Sequence, residues 1–147
     1  MTQFLDAALA YRAAGLHPIP CEPRGKRPLI AWKPYQDTAP TVEEIYYWWA
    51  TTPQANVALV LGRGMLAVDI DSAEGRERLL AAGIVLPASA PTVSTGKGAH
   101  VYLKGSAPDC VGLIEGVDIR GVGYVVAPPS IGSFKRWPFN MIRTPFE

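Results

Sequence analysis

The run Met65-Leu66-Ala67-Val68-Asp69-Ile70-Asp71 closes an apolar stretch with two carboxylates separated by one apolar residue. As a strand it sends alternate side chains to opposite faces, so Asp69 and Asp71 share a face while Ile70 enters the core. Their Cα atoms then lie ~6–7 Å apart, within reach of one cation or a pair of cations. Two like charges at a sheet end repel each other unless something positive sits between them. An all-oxygen ligand set suits Mg2+ or Mn2+. Asp71 also precedes Ser72-Ala73-Glu74-Gly75-Arg76-Glu77-Arg78-Leu79-Leu80, a helix start that an aspartate can cap. Nucleotide-sugar transferases carry D-x-D as well, so the pair alone leaves metal binding and capping both open.

Two further segments carry reactive residue types. Asp118 stands between Val117 and Ile119, so on a strand its side chain leaves the apolar face and can supply a third carboxylate. Three carboxylates with substrate phosphates complete an Mg2+ shell better than two. His100 opens an apolar strand after the turn Gly96-Lys97-Gly98. Glycines there let phosphate oxygens approach the backbone, and Lys97 adds a charge. Ser94-Thr95-Gly96-Lys97-Gly98 is not a Walker A loop, because the first glycine is missing and Gly98 stands where Ser or Thr should follow the lysine.

The elements that must position these residues read as follows. Phe4 to Ala14 has helical periodicity, with Thr2 as candidate N-cap and Gly15 as stop. Leu16 to Pro20 is a short extended piece, and a polar loop opens at Arg24-Gly25-Lys26-Arg27 and runs to Pro40. Thr41-Val42-Glu43-Glu44 has capping-box form and starts a helix through Trp49. Within it Tyr46-Tyr47 and Trp48-Trp49 are adjacent aromatic pairs, of which one member each should face outward. Val57 to Leu61 is a strand that should form a hairpin with the aspartate strand across Gly62-Arg63-Gly64. A helix from Ser72 to Ala82 follows. Thr92–Thr95 and His100–Leu103 pair around Gly96-Lys97-Gly98, and Val117–Arg120 and Tyr124–Ala127 pair around Gly121-Val122-Gly123. Strands in hairpins with helices between them argue for an α+β fold with a largely antiparallel or mixed sheet.

At 147 residues the chain supports one domain, 1–147, with a proper core. A hydrophobic fraction of 48% with 18% charged residues marks a globular protein, and fourteen prolines with fourteen glycines argue against a helical bundle. No apolar run approaches the ~18 residues of a membrane span, and the N-terminus lacks a signal-peptide pattern. Cys21 and Cys110 are neither a close pair nor part of a ligand cluster, which suits reduced thiols in the cytoplasm. A net charge of +1 predicts no polyanion partner by itself. Residues 1–40 carry five Lys/Arg against three acids, residues 41–93 six acids against three bases, and residues 94–143 six bases against three acids. That distribution suits an acidic metal centre framed by phosphate-facing charge.

The series Lys26-Arg27-Pro28-Leu29-Ile30-Ala31-Trp32-Lys33, Trp48-Trp49, Asn56-Val57-Ala58, Gly62, Asp69-Ile70-Asp71, Gly98-Ala99-His100-Val101-Tyr102 and Val117-Asp118-Ile119-Arg120-Gly121 resembles the N-terminal primase–polymerase domain of phage and plasmid replication proteins, within the archaeo-eukaryotic primase superfamily. The resemblance runs from about residue 4 to Trp137. It implies an RRM-like sheet core joined to an N-terminal α/β unit. It implies that Asp69, Asp71 and Asp118 hold two Mg2+ or Mn2+ ions and that His100 contacts the phosphates of the incoming nucleotide. Ser94, Thr95, Lys97, Gly98 and Arg120 would line the nucleotide pocket. Lys26 and Trp32 match the family's N-terminal lysine–proline–tryptophan signature, with Trp32 also readable as core. Gly98 departs from the serine that many primases carry, and the segment Ile131 to Trp137 is shorter than usual in the family.

The activity implied is metal-dependent, template-directed nucleotidyl transfer in phage or plasmid DNA replication, in the cytoplasm of a bacterial host. The substrates would be dNTPs or rNTPs, a single-stranded DNA template and a primer, with a helicase domain or protein as partner and no membrane. The alternative is a non-catalytic single-stranded nucleic-acid-binding module on an RRM-like sheet, against which the carboxylate cluster argues because it repels phosphate. A nucleotide-sugar transferase and a metal-dependent nuclease are the other readings of the same acids.

Overall fold

The computed structural model describes residues 3–62, 65–86, 90, 92–94, 98–105, 108–131 and 140–141. Helix α1 (Gln3–Ala13) buries Phe4, Leu5, Ala8 and Tyr11, an i, i+4, i+7 stripe. A Schellman turn ends it: Gly15, at φ 89°, donates to the Arg12 carbonyl (2.9 Å) and Leu16 to that of Tyr11 (3.0 Å). The N-cap expected at Thr2 lies outside the described residues. Helix α2 (Val42–Thr51) begins with the expected capping box, Thr41 Oγ1 accepting from the Glu44 N–H and the Glu44 carboxylate from the Thr41 N–H. Helix α3 (Ala73–Ala81) is capped by Ser72, whose hydroxyl accepts from the Gly75 N–H at 3.1 Å. Ser72, not Asp71, is therefore the cap.

Among the described residues nine strands form two antiparallel sheets. The first joins β1 (Pro18–Cys21), β2 (Asn56–Leu61) and β8 (Gly123–Ala127) in the order β1-β2-β8. The second joins β3 (Met65–Ile70), β4 (Thr92–Ser94), β5 (Ala99–Lys104), β6 (Cys110–Ile114), β7 (Val117–Arg120) and β9 (Asn140–Met141) in the order β6-β7-β3-β5-β4-β9. Every strand pairing among the described residues is antiparallel, which favours the antiparallel over the mixed alternative.

Strand alternation divides the core. Val57, Leu59 and Leu61 of β2, Met65 and Ala67 of β3, Tyr102 of β5 and Val93 of β4 join the buried faces of α1 and α2 in one cluster between the sheets. The opposite face of the second sheet, with Val68, Ile70, Val101 and Val117, packs on Leu79 of α3. The outer face of the first sheet, with Ile19, Cys21, Ala58 and Val60, is covered by Ile30, Trp32 and Tyr35 from the long loop. Trp32 meets Tyr124 edge-on at 5.4 Å and is half-buried, packing over that face rather than within the core.

Three expectations need correction. β2 and β3 share only the single bridge Gly62↔Met65 and then part into different sheets, so they are not a hairpin. β7 and β8 are not a hairpin either, because β7 lies between β3 and β6 while β8 pairs with β2. In each case a glycine-bearing link carries the chain from one sheet to the other. On α2 both tyrosines are exposed, Tyr46 at 45% and Tyr47 at 69%. Both tryptophans pack instead: Trp49 is buried, and Trp48 lies edge-on to Tyr35 at 5.4 Å. The β4–β5 hairpin forms as expected.

Candidate active site

The face of β3 that carries Met65 and Ala67 into the core continues into Asp69. There the apolar cover ends and the row across the sheet becomes polar. In register, Ala67 lies between Tyr102 of β5 and Arg120 of β7, and Asp69 lies between His100 and Asp118. Directly paired residues of antiparallel strands share a face, so Asp69, His100, Asp118 and Arg120 form one polar patch. His100 Nε2 is 3.5 Å from Asp69 Oδ1.

Asp71 follows the last β3 residue and is exposed. Its N–H donates to the Gly116 carbonyl at 2.9 Å, which ties the end of β3 to the turn before β7. On the other side Gly98 abuts the same peptide. A Cβ built on Gly98 would stand 1.7 Å from the Ile70 carbonyl oxygen and 2.9 Å from the Asp71 carbonyl carbon. Both are backbone atoms, so any larger residue forces β5 away from the end of β3. Packing against this peptide accounts for the glycine.

Asp118 is oriented by β6. Its Oδ1 accepts from the Gly112 N–H at 2.7 Å, where Gly112 sits in the β6 irregularity at φ 69°. This contact leaves the second carboxylate oxygen for another partner. The far end of β7 is held by Asp109, whose Oδ1 accepts from the N–H groups of Gly121 (2.8 Å) and Val122 (3.0 Å). Neither Gly112 nor Asp109 was legible as a site residue. The segment Cys110-Val111-Gly112-Leu113-Ile114 lacks clean alternation, and a backbone N–H aimed by a bulge leaves no mark on the side-chain pattern.

The charges of the patch act on one another. Burial pushes the Asp69 carboxyl up, His100 pulls it down, Asp71 and Asp118 push it further up, and Arg120 pulls it down. Burial pushes His100 down, with Asp69 and Asp71 opposing and Arg120 adding to the fall. Burial therefore favours the uncharged form of both partners. The donor set is carboxylate oxygen without thiolate, which matches a hard divalent cation. Among the described residues no group of three or more His, Cys, Asp or Glu side chains stands close enough to hold an ion, so an ion shared by these carboxylates would need their side chains to rotate. The residues nonetheless fit such an ion: Asp71 is exposed, Asp118 retains one oxygen, and all three carboxylates act on Asp69 or belong to it.

The remaining sequence candidates divide. Ser94, the last residue of β4, pairs with Ala99 of β5, one position from the Val93–His100 pair. Thr95 and Lys97 lie outside the described residues. No helix among the described residues is long and apolar enough to cross a membrane.

The chain is thus an α+β protein of two antiparallel sheets, with acids, a histidine and an arginine on one face of the larger. Residues 8–140 match the family model described as bifunctional DNA primase/polymerase, N-terminal, and the chain belongs to that family. No curated protein matches the chain.

Proposed function

We propose that the patch around Asp69 catalyses template-directed nucleotidyl transfer, extending a primer on a single-stranded DNA template from deoxy- or ribonucleoside triphosphates. The observation that carries this reading is the register that sets Asp69 between Asp118 and His100, with Asp71 two residues on and Arg120 two residues beyond Asp118. Family membership supports the class of reaction. The strand order β7-β3-β5-β4 supports an RRM-like arrangement, with β3 central and every neighbour antiparallel.

Asp69, Asp71 and Asp118 are the residues that would hold the divalent cations. Bound there, Mg2+ or Mn2+ would neutralise the triphosphate and lower the pKa of the primer 3′-hydroxyl. The chain's own groups do the rest. His100 and Arg120 stand beside the acids as hydrogen-bond donors for phosphate oxygens. They stabilise the charge that develops on pyrophosphate as the 3′-oxygen bonds to the α-phosphorus and the bond to the β-phosphate oxygen breaks. No covalent nucleophile is needed, because positioning and charge neutralisation supply most of the acceleration. The β5–β3–β7 frame fixes this geometry, with Gly98 and Gly116 closing on the backbone of Asp71 from both sides.

The test is a labelled primer–template incubated with nucleotides and Mg2+ or Mn2+. Lengthening supports the polymerase reading. Shortening would indicate a nuclease, and salt-sensitive binding indifferent to Mg2+ with no change in strand length would indicate a binding module.

A further inference from the structure

Beyond β1 the chain makes a compact basic hairpin that the acidic patch does not account for. Cys21 bridges Pro28, Leu29 donates to the Pro20 carbonyl (2.9 Å), Glu22 to that of Arg27 (2.8 Å), and Gly25 to that of Glu22 (2.9 Å). The tip so formed exposes Arg24, Lys26 and Arg27 against the single acid Glu22. Among the described residues Arg24 is the one non-glycine at positive φ, 58°. That conformation disfavours a side chain bearing a Cβ, and arginine has no local hydrogen bond to offset it as asparagine does. Backbone strain at a long cationic residue points to a use for the side chain.

The tip is also anchored from within the fold. Asn56, fully buried at the start of β2, donates from Nδ2 to the carbonyls of Gly25 (2.9 Å) and Ile131 (2.7 Å) and accepts from the Ile131 N–H at Oδ1 (3.0 Å). All its capacity but one lone pair goes into clamping the hairpin to the chain beyond β8. Its place relative to the acids follows from topology. β2 and β3 run in opposite directions from the Gly62↔Met65 bridge. The start of β2, with the basic tip on it, and the end of β3, with Asp69 and Asp71, therefore lie on the same side of that bridge. A carboxylate-lined face repels polyanions. A protein that must hold a polyanion there needs its cations on a separate element, and this hairpin on the other sheet is one.

We propose that the Glu22–Arg27 hairpin tip grips the sugar–phosphate backbone of single-stranded nucleic acid, with Arg24 and Arg27 each taking one phosphate through its planar guanidinium. The assignment rests on the nucleotidyl-transfer reading above and adds to it the element that holds the strand. Guanidinium groups suit the purpose because they donate bidentately to phosphate and stay charged. Phosphate contacts of this kind set position without reading sequence.

The experiment is fluorescence anisotropy with a labelled oligothymidylate across 50–200 mM salt, on the whole chain and on Arg24→Asn/Arg27→Gln. Asparagine tolerates positive φ, so the first change relieves strain and keeps the fold. Losing two contacts should flatten the slope of log affinity against log salt by about 1.4, so that about sevenfold less affinity is lost over that range. Arg76→Gln on exposed α3 makes a charge change elsewhere and should leave the slope unaltered. In strand extension the double variant should need more template for half-maximal rate, with the KM for nucleotide unchanged. Equal slopes for variant and wild type would overturn the inference, as would a rise in nucleotide KM without loss of strand affinity, which would assign the tip to the triphosphate. The nucleotidyl-transfer reading fails separately, by absence of strand extension in the wild-type protein.

Discussion

Asp69 on β3 and Asp118 on β7 stand directly opposite each other in the antiparallel register. Like charges in that position destabilise a sheet. The fold places them there and has Asp71 two residues along, the arrangement on which the proposed cation site rests. Asp118→Asn keeps the acceptor for the Gly112 N–H and removes one charge. Without divalent cation it should raise the urea midpoint by the equivalent of ~0.2–1 kcal/mol. Excess Mg2+ should narrow the gap by stabilising the wild-type protein alone. A destabilised variant would contradict this account of the patch.

Gly98→Ala tests the contact between β5 and the end of β3. The added Cβ has a backbone oxygen at 1.7 Å, which no rotamer change relieves. The expected cost is at least ~1–3 kcal/mol in chemical denaturation. Strand extension should fall further than the folded fraction does, because the displaced backbone is the one that carries Asp71.

Which parts of this were legible beforehand follows from where the information resides. The helices announced themselves: Thr41 and Glu44 form the capping box their spacing predicts, and Phe4, Ala8 and Tyr11 form the buried stripe. Period-two alternation put Asp69 on the face opposite Ile70 and Asp118 on the face opposite Val117 and Ile119. It did not show that Asp69's own face is apolar as well, through Met65 and Ala67. Alternation says nothing about which strand lies alongside. The links at Gly62 and at Gly121–Gly123 look like hairpin turns locally, yet both carry the chain between sheets. That Asp118 falls opposite Asp69, and not beside Tyr124, depends on long-range pairing. The bulge at Gly112 and the Asp109 clamp were invisible because each acts through backbone N–H groups, that of Gly112 in β6 and those of Gly121 and Val122 after β7, which leave no mark on the side-chain pattern.

Gly112 offers a way to disturb Asp118 without touching it. A Cβ there meets nothing within 4 Å, so only its φ of 69° resists substitution. Gly112→Ala should cost ~1–2 kcal/mol or shift the local backbone. A shifted N–H releases the carboxylate, and the Mn2+ concentration for half-maximal strand extension should rise severalfold. Gly112→Asn, which tolerates positive φ, should restore both stability and metal requirement. Failure of asparagine to rescue would assign the effect to something other than the aim of this N–H.

The Tyr35–Glu44 pair sets a pH dependence far from the patch. The Thr41 N–H, then the Tyr35 hydroxyl, hold the Glu44 carboxyl below its ordinary value. Burial, then Glu44, push the Tyr35 phenol up from 10.0 to about 12. A carboxyl lowered in the folded state stabilises above its unfolded pKa, and that contribution disappears as pH falls through the folded value. A phenol raised in the folded state stabilises below pH 10 and loses its contribution as pH rises toward 12. Glu44→Gln should therefore flatten the acid side of the stability profile and bring the Tyr35 titration, followed by phenolate absorbance, to lower pH. An unchanged Tyr35 titration would show that burial alone sets it.

The central claim is that Asp69, Asp71 and Asp118 hold the cations for nucleotidyl transfer. Its most direct test is extension of a labelled primer on a single-stranded template with Mg2+ or Mn2+, comparing the wild-type chain with Asp69→Asn and confirming by circular dichroism that both are folded. The prediction is metal-dependent lengthening by the wild type and a rate lower by about 10²–10³-fold or more in the variant. Full extension by a folded Asp69→Asn protein would contradict it.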